Sequence, residues 1–231
     1  MKKFLILLIN LLKRIQNLSL TKYLKIKHLP LNLSHLKVAF IMDGNRRFAL
    51  KVNKPNPKEI GLNKLKEVIY FCNKVRIKEA NFFILSVKNL GRPKKEFEEI
   101  ESVLQKETYF DNQIEVIGNL TLLQPKLREK ISEFVIKNNL QAKNKESVFR
   151  FFICYDESDS FDKPVDLIIR TGNVFRLSGF LVRQAAKGAK IHFLECLWPE
   201  FVFTHFMLSY LILCIENYLL KITKKCKINN K

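Results

Sequence analysis

The sequence predicts an α/β fold, with a mostly parallel central sheet of about six strands flanked by helices. Short apolar runs typical of buried strands alternate with longer segments of helical periodicity. Two of these runs lead directly into polar segments that contain arginine and glycine, as expected at the carboxyl edge of a parallel sheet. The 231 residues are 47% hydrophobic, which is enough for one domain with a substantial core and excludes general disorder.

The first segment, residues 1–30, is predicted to be an interfacial or amphipathic element. Its apolar run at 4–12 is interrupted by Asn10 and followed by Lys13 and Arg14. The run is too short to span hydrocarbon, which takes about 20 apolar residues. A secretory signal peptide is the alternative interpretation of this run. No small-residue cleavage site follows, however, and the mixture with basic residues favours a helix lying in the membrane interface.

The first predicted strand, residues 38–42, is followed by the pentad Asp43-Gly44-Asn45-Arg46-Arg47. A helix that begins there would place free backbone N–H groups and the positive end of its dipole beside two guanidiniums, which suits a polyanion such as a diphosphate. The Asp43 carboxylate could then hold a divalent cation on the same diphosphate. The alternative is an ordinary strand-to-helix turn with a solvated basic face.

The middle of the chain alternates apolar helical stripes with strands. The first stripe consists of Leu62, Leu65, Val68, Ile69, Cys72 and Val75. A second stripe runs from Pro125 to Asn139. The strands predicted in this part of the chain are residues 82–86, 114–117 and 148–154.

A second polar cluster follows the strand predicted at residues 165–169, about 125 residues after the first cluster. It contains Arg170, Thr171, Gly172, Arg176 and Ser178. Two parallel strands that end in anion-binding groups predict one shared cleft at the carboxyl edge of the sheet. The alternative is a core strand with exposed arginines. A last strand is predicted at 191–194.

One connection does not fit a parallel sheet with helical crossovers. Only residues 156–164 lie between Tyr155 and Val165, whereas a crossover that includes a helix needs at least about ten to twelve residues. One explanation is that the two strands are not neighbours joined by a crossover with its own helix. The other is that a helical layer is missing and the apolar surface it would cover faces a partner.

The C-terminal apolar stretch from Phe201 to Leu220 is not predicted to be transmembrane, because His205, Glu216 and Asn217 interrupt it. The sequence shows no internal repeat and no low-complexity linker. Residues 31–221 are therefore predicted to form one domain, followed by a basic tail at 222–231.

The net charge and the cysteine content exclude few classes of function. The formal net charge of +19 favours phosphorylated substrates, anionic lipid surfaces or nucleic acid as partners. Much of the excess is lysine beside many Asn and Ile, a pattern that genomic base bias can produce. The five cysteines are odd in number and show no CxxC spacing, so they are predicted to be reduced thiols.

Five blocks resemble the cis-prenyltransferase family, which includes the undecaprenyl diphosphate synthases and the eukaryotic dehydrodolichyl diphosphate synthases. In the family's order, they are residues 35–49, 61–65, 85–93, 165–178 and 197–201. Arg46, where bacterial members usually carry glycine, resembles the eukaryotic form. The resemblance implies a hydrophobic tunnel, expected along Phe82, Phe83, Leu85 and the first apolar stripe.

The resemblance also implies an activity. Isopentenyl diphosphate is added repeatedly to an allylic diphosphate, expected to be farnesyl diphosphate, and each addition forms a cis double bond. The product is a polyprenyl diphosphate for a dolichol-type carrier lipid. Asp43 is expected to bind Mg²⁺ and, with Asn89, to be catalytic. The residues expected to bind the substrates are Gly44, Asn45, Arg46, Arg47, Phe48, Lys58, Ser86, Arg92, Arg170, Arg176, Leu177 and Ser178.

Several positions depart from the family pattern. Lys58 replaces the usual histidine, Lys88 and Val174 replace glutamates, and Ala189 stands where bacterial members place a second acidic magnesium ligand. Metal binding would then depend on Asp43 and the substrate phosphates, and Mg²⁺ is commonly held by few carboxylates plus phosphate.

The resemblance bears on partners and location as well. The sequence up to Lys231 lacks the Arg-x-Gly tail with which homodimeric members complete the active site. We therefore expect a homodimer, or a heteromer with a regulatory subunit that supplies this tail, attached peripherally to the cytoplasmic face of the endoplasmic reticulum membrane.

Two alternatives to this enzyme stay open. One is a noncatalytic subunit of such a complex, although Asp43, Asn89 and Arg170 are all retained. The other is a basic membrane-surface or nucleic-acid-binding protein. No nucleic-acid partner is expected, because the aromatic residues lie in apolar runs rather than among basic residues along one face.

Overall fold

In the computed structural model of this chain, residues 32–91 and 109–229 are described, without the side chains of residues 221 and 223–229. The predicted N-terminal element at 1–30 and the candidate ligand Arg92 lie outside the described residues.

The described residues contain six strands and five α-helices. The strands are β1 (Lys37–Ile41), β2 (Glu79–Ser86), β3 (Asn112–Ile117), β4 (Asn144–Tyr155), β5 (Leu167–Arg170) and β6 (Lys190–Phe193). The helices are α1 (Asn45–Lys51), α2 (Pro57–Lys74), α3 (Pro125–Gln141), α4 (Val182–Ala186) and α5 (Phe203–Asn229).

The strands form one sheet in the order β3-β4-β2-β1-β5-β6, and every neighbouring pair is parallel. The predicted α/β fold with six strands is therefore confirmed. Strand bounds differ by a few residues: β2 begins at Glu79, three residues before the predicted start, and β5 includes Arg170. Since β2 and β5 lie on opposite sides of β1, the strand order reverses next to β1, and ligands of such sheets bind at such a point.

Each face of the sheet carries its own aromatic core. On the first face the Phe40 and Phe82 rings stack with centroids 5.3 Å apart, and Trp198 lies 6.3 Å from Phe40. On the second face Phe152 packs edge-on against Phe161 and Phe180 at 5.1 and 5.0 Å. Side chains that alternate along each strand supply the two cores, so both faces must be covered.

The short connection between β4 and β5 crosses the second face without a helix. These strands are not neighbours, because β2 and β1 lie between them, so the first of the two explanations given above is confirmed. Phe161 and Val165 of the connection are buried in the second-face core. The Gln184 side-chain amide on α4 donates to the Phe161 carbonyl at 2.8 Å. The connection therefore covers part of the sheet itself.

A buried arginine lies beneath this connection, and its removal should destabilise the fold. Arg150 of β4 is 2% exposed and donates to Glu79 at 2.9 Å and to Glu115 at 2.6 Å. We expect Arg150→Met to lower the free energy of unfolding by about 3 kcal/mol, because it leaves two partly buried carboxylates without their shared cation. Urea denaturation measures the change.

The matched control for Arg150 is Lys163→Met, since Lys163 lies 3.6 Å from the same Glu115 but is 52% exposed. An exposed ion pair contributes at most about 1 kcal/mol. Equal losses in the Arg150 and Lys163 variants would contradict a structural role for the buried cluster.

The described cysteines are free thiols, as predicted. Cys72 and Cys154 are buried, and Cys196 and Cys214 are half-buried. Burial raises the pKa of Cys154 to about 11 and that of Cys196 to about 11, so neither is a reactive thiolate at neutral pH.

Residues from Leu31 to Glu200 form one compact unit, and Phe201 onward belongs to another. The end of the domain predicted at residue 221 stays a prediction. Within the second unit, the Val202 backbone N–H donates to Nδ1 of His205 at 3.1 Å where α5 begins. The part of α5 from Phe203 to Leu220 is long and apolar enough to cross a membrane by length and composition alone, with a mean hydropathy of 1.3.

Candidate active site

The two predicted polar clusters meet where β1 and β5 end. These strands pair in parallel, with Ile41 opposite Arg170, so the residues that follow leave the same edge of the sheet side by side. The Asp43 backbone N–H donates to the Thr171 hydroxyl at 3.1 Å, and that hydroxyl donates to the Asp43 carbonyl at 2.9 Å. The two strand ends that the sequence predicts to share a cleft therefore lie side by side.

Arg170 is the buried centre of this arrangement, with a side chain only 4% exposed. Its Nη2 donates to Oδ2 of Asp43 at 2.8 Å, and its Nη1 donates to the Ser178 hydroxyl at 2.9 Å. Nη1 also donates to the Arg176 backbone carbonyl. One planar guanidinium thereby fixes Asp43 and the segment 176–178 relative to each other.

A second guanidinium approaches Asp43 from α1. Nη2 of Arg47 lies 3.3 Å from Oδ1 of Asp43, and Arg47 is about half exposed. Arg46 on the same helix and Arg176 after β5 are also exposed. Two guanidiniums thus contact one carboxylate, two more arginines lie on the segments that carry the site, and the excess of positive charge suits a polyanionic ligand.

Backbone packing around Asp43 requires two glycines. Gly44 has φ +113°, and a Cβ there would lie 2.9 Å from Cβ of Leu197. Gly172 has φ +95°, and a Cβ there would lie 2.6 Å from Nη2 of Arg47 and 3.2 Å from Asp43. Any side chain at either position would be strained and would displace the groups that hold the carboxylate.

Trp198 positions the site, a role that the sequence reasoning did not assign. Its backbone N–H donates to the Asp43 carbonyl at 2.9 Å, and its indole N–H donates to the Gly61 carbonyl on α2 at 3.0 Å. It therefore ties the end of β1 to α2. The block 197–201 in the family resemblance was the signal that pointed to it.

Other sequence-predicted residues lie at the end of β2, in the turn after it, on α1 and in the segment after β5. Ser86 ends β2, the strand beside β1, and Asn89 lies in the 3₁₀ turn Val87–Asn89 that follows it. Phe48 lies half-buried in α1, and Leu177 packs against the second-face core.

Lys58 is placed by the start of α2. The Asn56 side chain caps this helix by accepting from the Glu59 backbone N–H at 3.1 Å, and Pro57 is its first residue. Lys58 therefore lies in the first helical turn, and it lines the cavity beside the site.

An apolar cavity of about 170 Å³ extends from the site between the sheet and the helices α2 and α3. Met42, Asn45, Lys58, Gly61 and Trp198 line it near Asp43. Its apolar lining includes Leu62, Leu65, Phe83, Leu85, Leu127, Ile131, Phe134 and Phe151.

Part of the predicted tunnel lining was wrong. Phe82 is fully buried and packs against the Phe40, Phe149 and Phe151 rings rather than lining the cavity. Val68, Ile69, Cys72 and Val75 are likewise buried in the core. Only the N-terminal part of the α2 stripe reaches the cavity.

Asp43 can serve as a metal ligand only together with other donors. No group of three or more His, Cys, Asp or Glu side chains that could hold a metal occurs among the described residues. The Asp43 side chain is 35% exposed, and a carboxylate oxygen that accepts one hydrogen bond keeps a further lone pair. This donor set fits a cation held by one carboxylate, with phosphate oxygens as the other ligands.

The sequence model of the family described as "Putative undecaprenyl diphosphate synthase" matches residues 41–161 and 159–213. The chain belongs to this family of cis-prenyltransferases. It is 34% identical to a dehydrodolichyl diphosphate synthase of Encephalitozoon cuniculi over 80% of this chain and 73% of the relative. It is 26% identical to a dehydrodolichyl diphosphate synthase complex subunit of Saccharomyces cerevisiae, over 72% of this chain and 62% of the relative.

Solved structures agree on the fold of this cis-prenyltransferase family member. A probable undecaprenyl diphosphate synthase from Campylobacter jejuni superposes with a TM-score of 0.59 at 24% identity, over 77% of this chain and 93% of that one. Lavandulyl diphosphate synthase from Lavandula x intermedia superposes with a TM-score of 0.63 at 22% identity, over 75% of this chain and 92% of that one.

Proposed function

We propose that this cis-prenyltransferase extends an allylic diphosphate, farnesyl diphosphate, with isopentenyl diphosphate to make a long polyprenyl diphosphate for a dolichol-type carrier lipid. The contact between Asp43 and Arg170 carries the proposal, because it joins the two diphosphate-binding strand ends at one point. The relatives named as dehydrodolichyl diphosphate synthases favour this product class.

Departure of the allylic diphosphate is the difficult step, since negative charge grows on the leaving group as its carbon–oxygen bond breaks. Arg46, Arg47 and the first N–H groups of α1 would hold that group beside Asp43. Interactions that strengthen as charge develops lower the barrier more than they aid ground-state binding. A Mg²⁺ ion held by Asp43 and the diphosphate would neutralise part of this charge.

The isopentenyl diphosphate would bind on the β5 side of the cleft. Arg170, Arg176 and Ser178 supply two guanidiniums and a hydroxyl there, and the bonds from Arg170 fix the loop that carries the other two. Such a fixed position would keep the double bond of the acceptor within reach of the allylic carbon, which is a large part of the rate enhancement in a two-substrate reaction.

Loss of a proton completes each addition, and Asn89 lies at the position that the family resemblance connects with this stage. An amide is too weak a base to take the proton itself. We propose that Asn89 and Ser86 orient diphosphate oxygens that accept it. The growing chain would occupy the apolar cavity, where the described lining side chains away from Asn45 and Lys58 are apolar.

The partner proposed for this chain is a subunit that carries an Arg-x-Gly tail. The Saccharomyces cerevisiae and Schizosaccharomyces pombe relatives are named as complex subunits, which supports a heteromer. Peripheral attachment to the cytoplasmic face of the endoplasmic reticulum membrane follows from the same proposed product.

Reconstitution tests this proposal. Purified chain, alone and with a candidate Arg-x-Gly-tailed subunit, is incubated with farnesyl diphosphate, radiolabelled isopentenyl diphosphate and Mg²⁺. We expect labelled lipid in at least one condition, and its loss when EDTA is added.

Two results would contradict the proposal. If no extended lipid formed in either condition, the chain would be a noncatalytic subunit. The departures from the family pattern at Lys58, Lys88 and Ala189 are consistent with that role. Activity that is unaffected by EDTA would contradict the proposed use of magnesium.

A further inference from the structure

Helix α5 presents a stripe of exposed apolar side chains. Leu208, Ile212, Leu219 and Ile222 are 39%, 39%, 54% and 38% exposed. Their spacing of four, seven and three residues places them on one face of the helix. We call this set the α5 stripe.

The surroundings of the stripe are also apolar. Tyr218 and Leu220 are 50% and 44% exposed, and Glu216 is the only Asp, Glu, Lys or Arg between Phe203 and Leu220. Only 28% of that 18-residue stretch is buried. Exposed apolar area of this extent marks an interaction surface.

The sequence that follows the stripe is strongly basic. Lysines occupy positions 221, 224, 225 and 227 within the helix, and no acidic residue follows Glu216. An apolar helix face next to a lysine-only end suits an anionic bilayer, where the face enters the headgroup boundary and the lysines meet lipid phosphates. Parallel pairing with a second copy would instead bring the two lysine clusters together.

We propose that α5 lies on an anionic membrane surface, with the α5 stripe buried in the interface and its lysine-rich end at the headgroups. A helix in the plane of the membrane fits better than a spanning one, because a spanning helix would carry Glu216 and Asn217 into the hydrocarbon, where ionisable and polar side chains are costly. This inference rests on the membrane association proposed above and assigns it to a described element.

Vesicle cosedimentation of the full chain tests the assignment, with phosphatidylcholine vesicles and with vesicles that also contain about 30% phosphatidylserine, an anionic lipid that attracts basic segments. We expect Ile212→Asn with Leu219→Asn to weaken binding to the anionic vesicles at least about tenfold. The matched control is Ile136→Asn with Leu140→Asn on α3, two side chains that are 61% and 78% exposed. The control should change binding by less than about twofold.

A second variant leaves the apolar face intact in case the first one does not fold. Lys224→Gln with Lys225→Gln should weaken binding to anionic vesicles about tenfold at low salt and leave binding to neutral vesicles unchanged. Circular dichroism establishes that each variant is folded.

Two outcomes would overturn the assignment. Unchanged vesicle binding in both α5 variants would place the membrane contact elsewhere. Unchanged vesicle binding with a smaller assembly by light scattering would assign the stripe to a second copy of the chain. Because lipid binding is measured without substrates, failure of prenyl transfer would count against the proposed function alone.

Discussion

Asp43→Asn is expected to lower kcat/KM for prenyl transfer by about 10³-fold while the protein stays folded. The amide has nearly the same shape, and its oxygen still accepts from the buried Arg170 when its NH2 group is turned toward the half-exposed Arg47, so only the weaker of the two contacts is lost. It has no charge with which to hold a cation on the leaving diphosphate. Removing one group that stabilises developing charge typically costs about 10² to 10³ in rate, and here the metal would be lost with it.

A binding measurement separates this explanation from simple damage to the site. Without metal, Asp43→Asn should bind inorganic pyrophosphate at least as tightly as the unmodified chain, because four arginines remain and one nearby negative charge is gone. Addition of Mg²⁺ should strengthen pyrophosphate binding only in the unmodified chain. Isothermal titration calorimetry measures both affinities.

The control for Asp43 is Asp162→Asn, a 77% exposed carboxylate that pairs with Lys187 at the surface. It should leave kcat/KM within about twofold, since exposed pairs contribute little. Activity of Asp43→Asn within tenfold of the unmodified chain would contradict a metal-binding role.

The fold could be predicted because its strands are local features of the sequence. Each strand is a short run of large apolar residues bounded by polar segments, and the runs at 38–42 and 148–154 are recognisable without any knowledge of their neighbours. The order of the strands could not be predicted, since it depends on pairing between distant segments. That order shows that the short connection at 156–164 joins strands that are not adjacent.

The sequence predicted which residues lie together at the candidate site but not the contacts among them, and their roles in substrate binding stay a prediction. Asp43, Arg170 and Ser178 were all expected to face one cleft, and they are joined through hydrogen bonds. The sequence could not show that the Arg170 guanidinium is almost fully buried, because burial of a charged side chain depends on the partners that surround it. The use of Trp198 to hold the Asp43 turn is likewise a long-range contact with no local pattern.

The residues that line the cavity could also not be predicted fully from the sequence. An apolar residue at the end of β2 can face the cavity or the core, and strand alternation alone does not decide which. Phe83 belongs to the cavity lining although its ring stacks on Phe180 in the second-face core, whereas Phe82 packs against Phe40 and Phe149 on the neighbouring strands and lies outside the lining.

Arg170→Lys is the second change with a large expected effect, and it should affect stability and catalysis together. Lysine keeps the positive charge but cannot bond Asp43, Ser178 and the Arg176 carbonyl at once, because an ammonium lacks the planar fork of a guanidinium. We expect a loss of about 3 kcal/mol in the free energy of unfolding, since the buried contacts of the arginine are broken. We also expect kcat/KM for isopentenyl diphosphate to fall at least about 10²-fold.

The matched control is Arg176→Lys. The exposed Arg176 side chain contributes positive charge to the site, but Arg170 bonds to the Arg176 backbone carbonyl, which the substitution keeps. Arg176→Lys should raise KM for isopentenyl diphosphate about tenfold and leave the free energy of unfolding unchanged within about 0.5 kcal/mol, as for surface substitutions in general. Urea denaturation and initial rates at varied isopentenyl diphosphate measure the two quantities. If Arg170→Lys proved as stable as Arg176→Lys, the buried guanidinium would not be what fixes Asp43 to the loop at 176–178, and the two strand ends would need another connection.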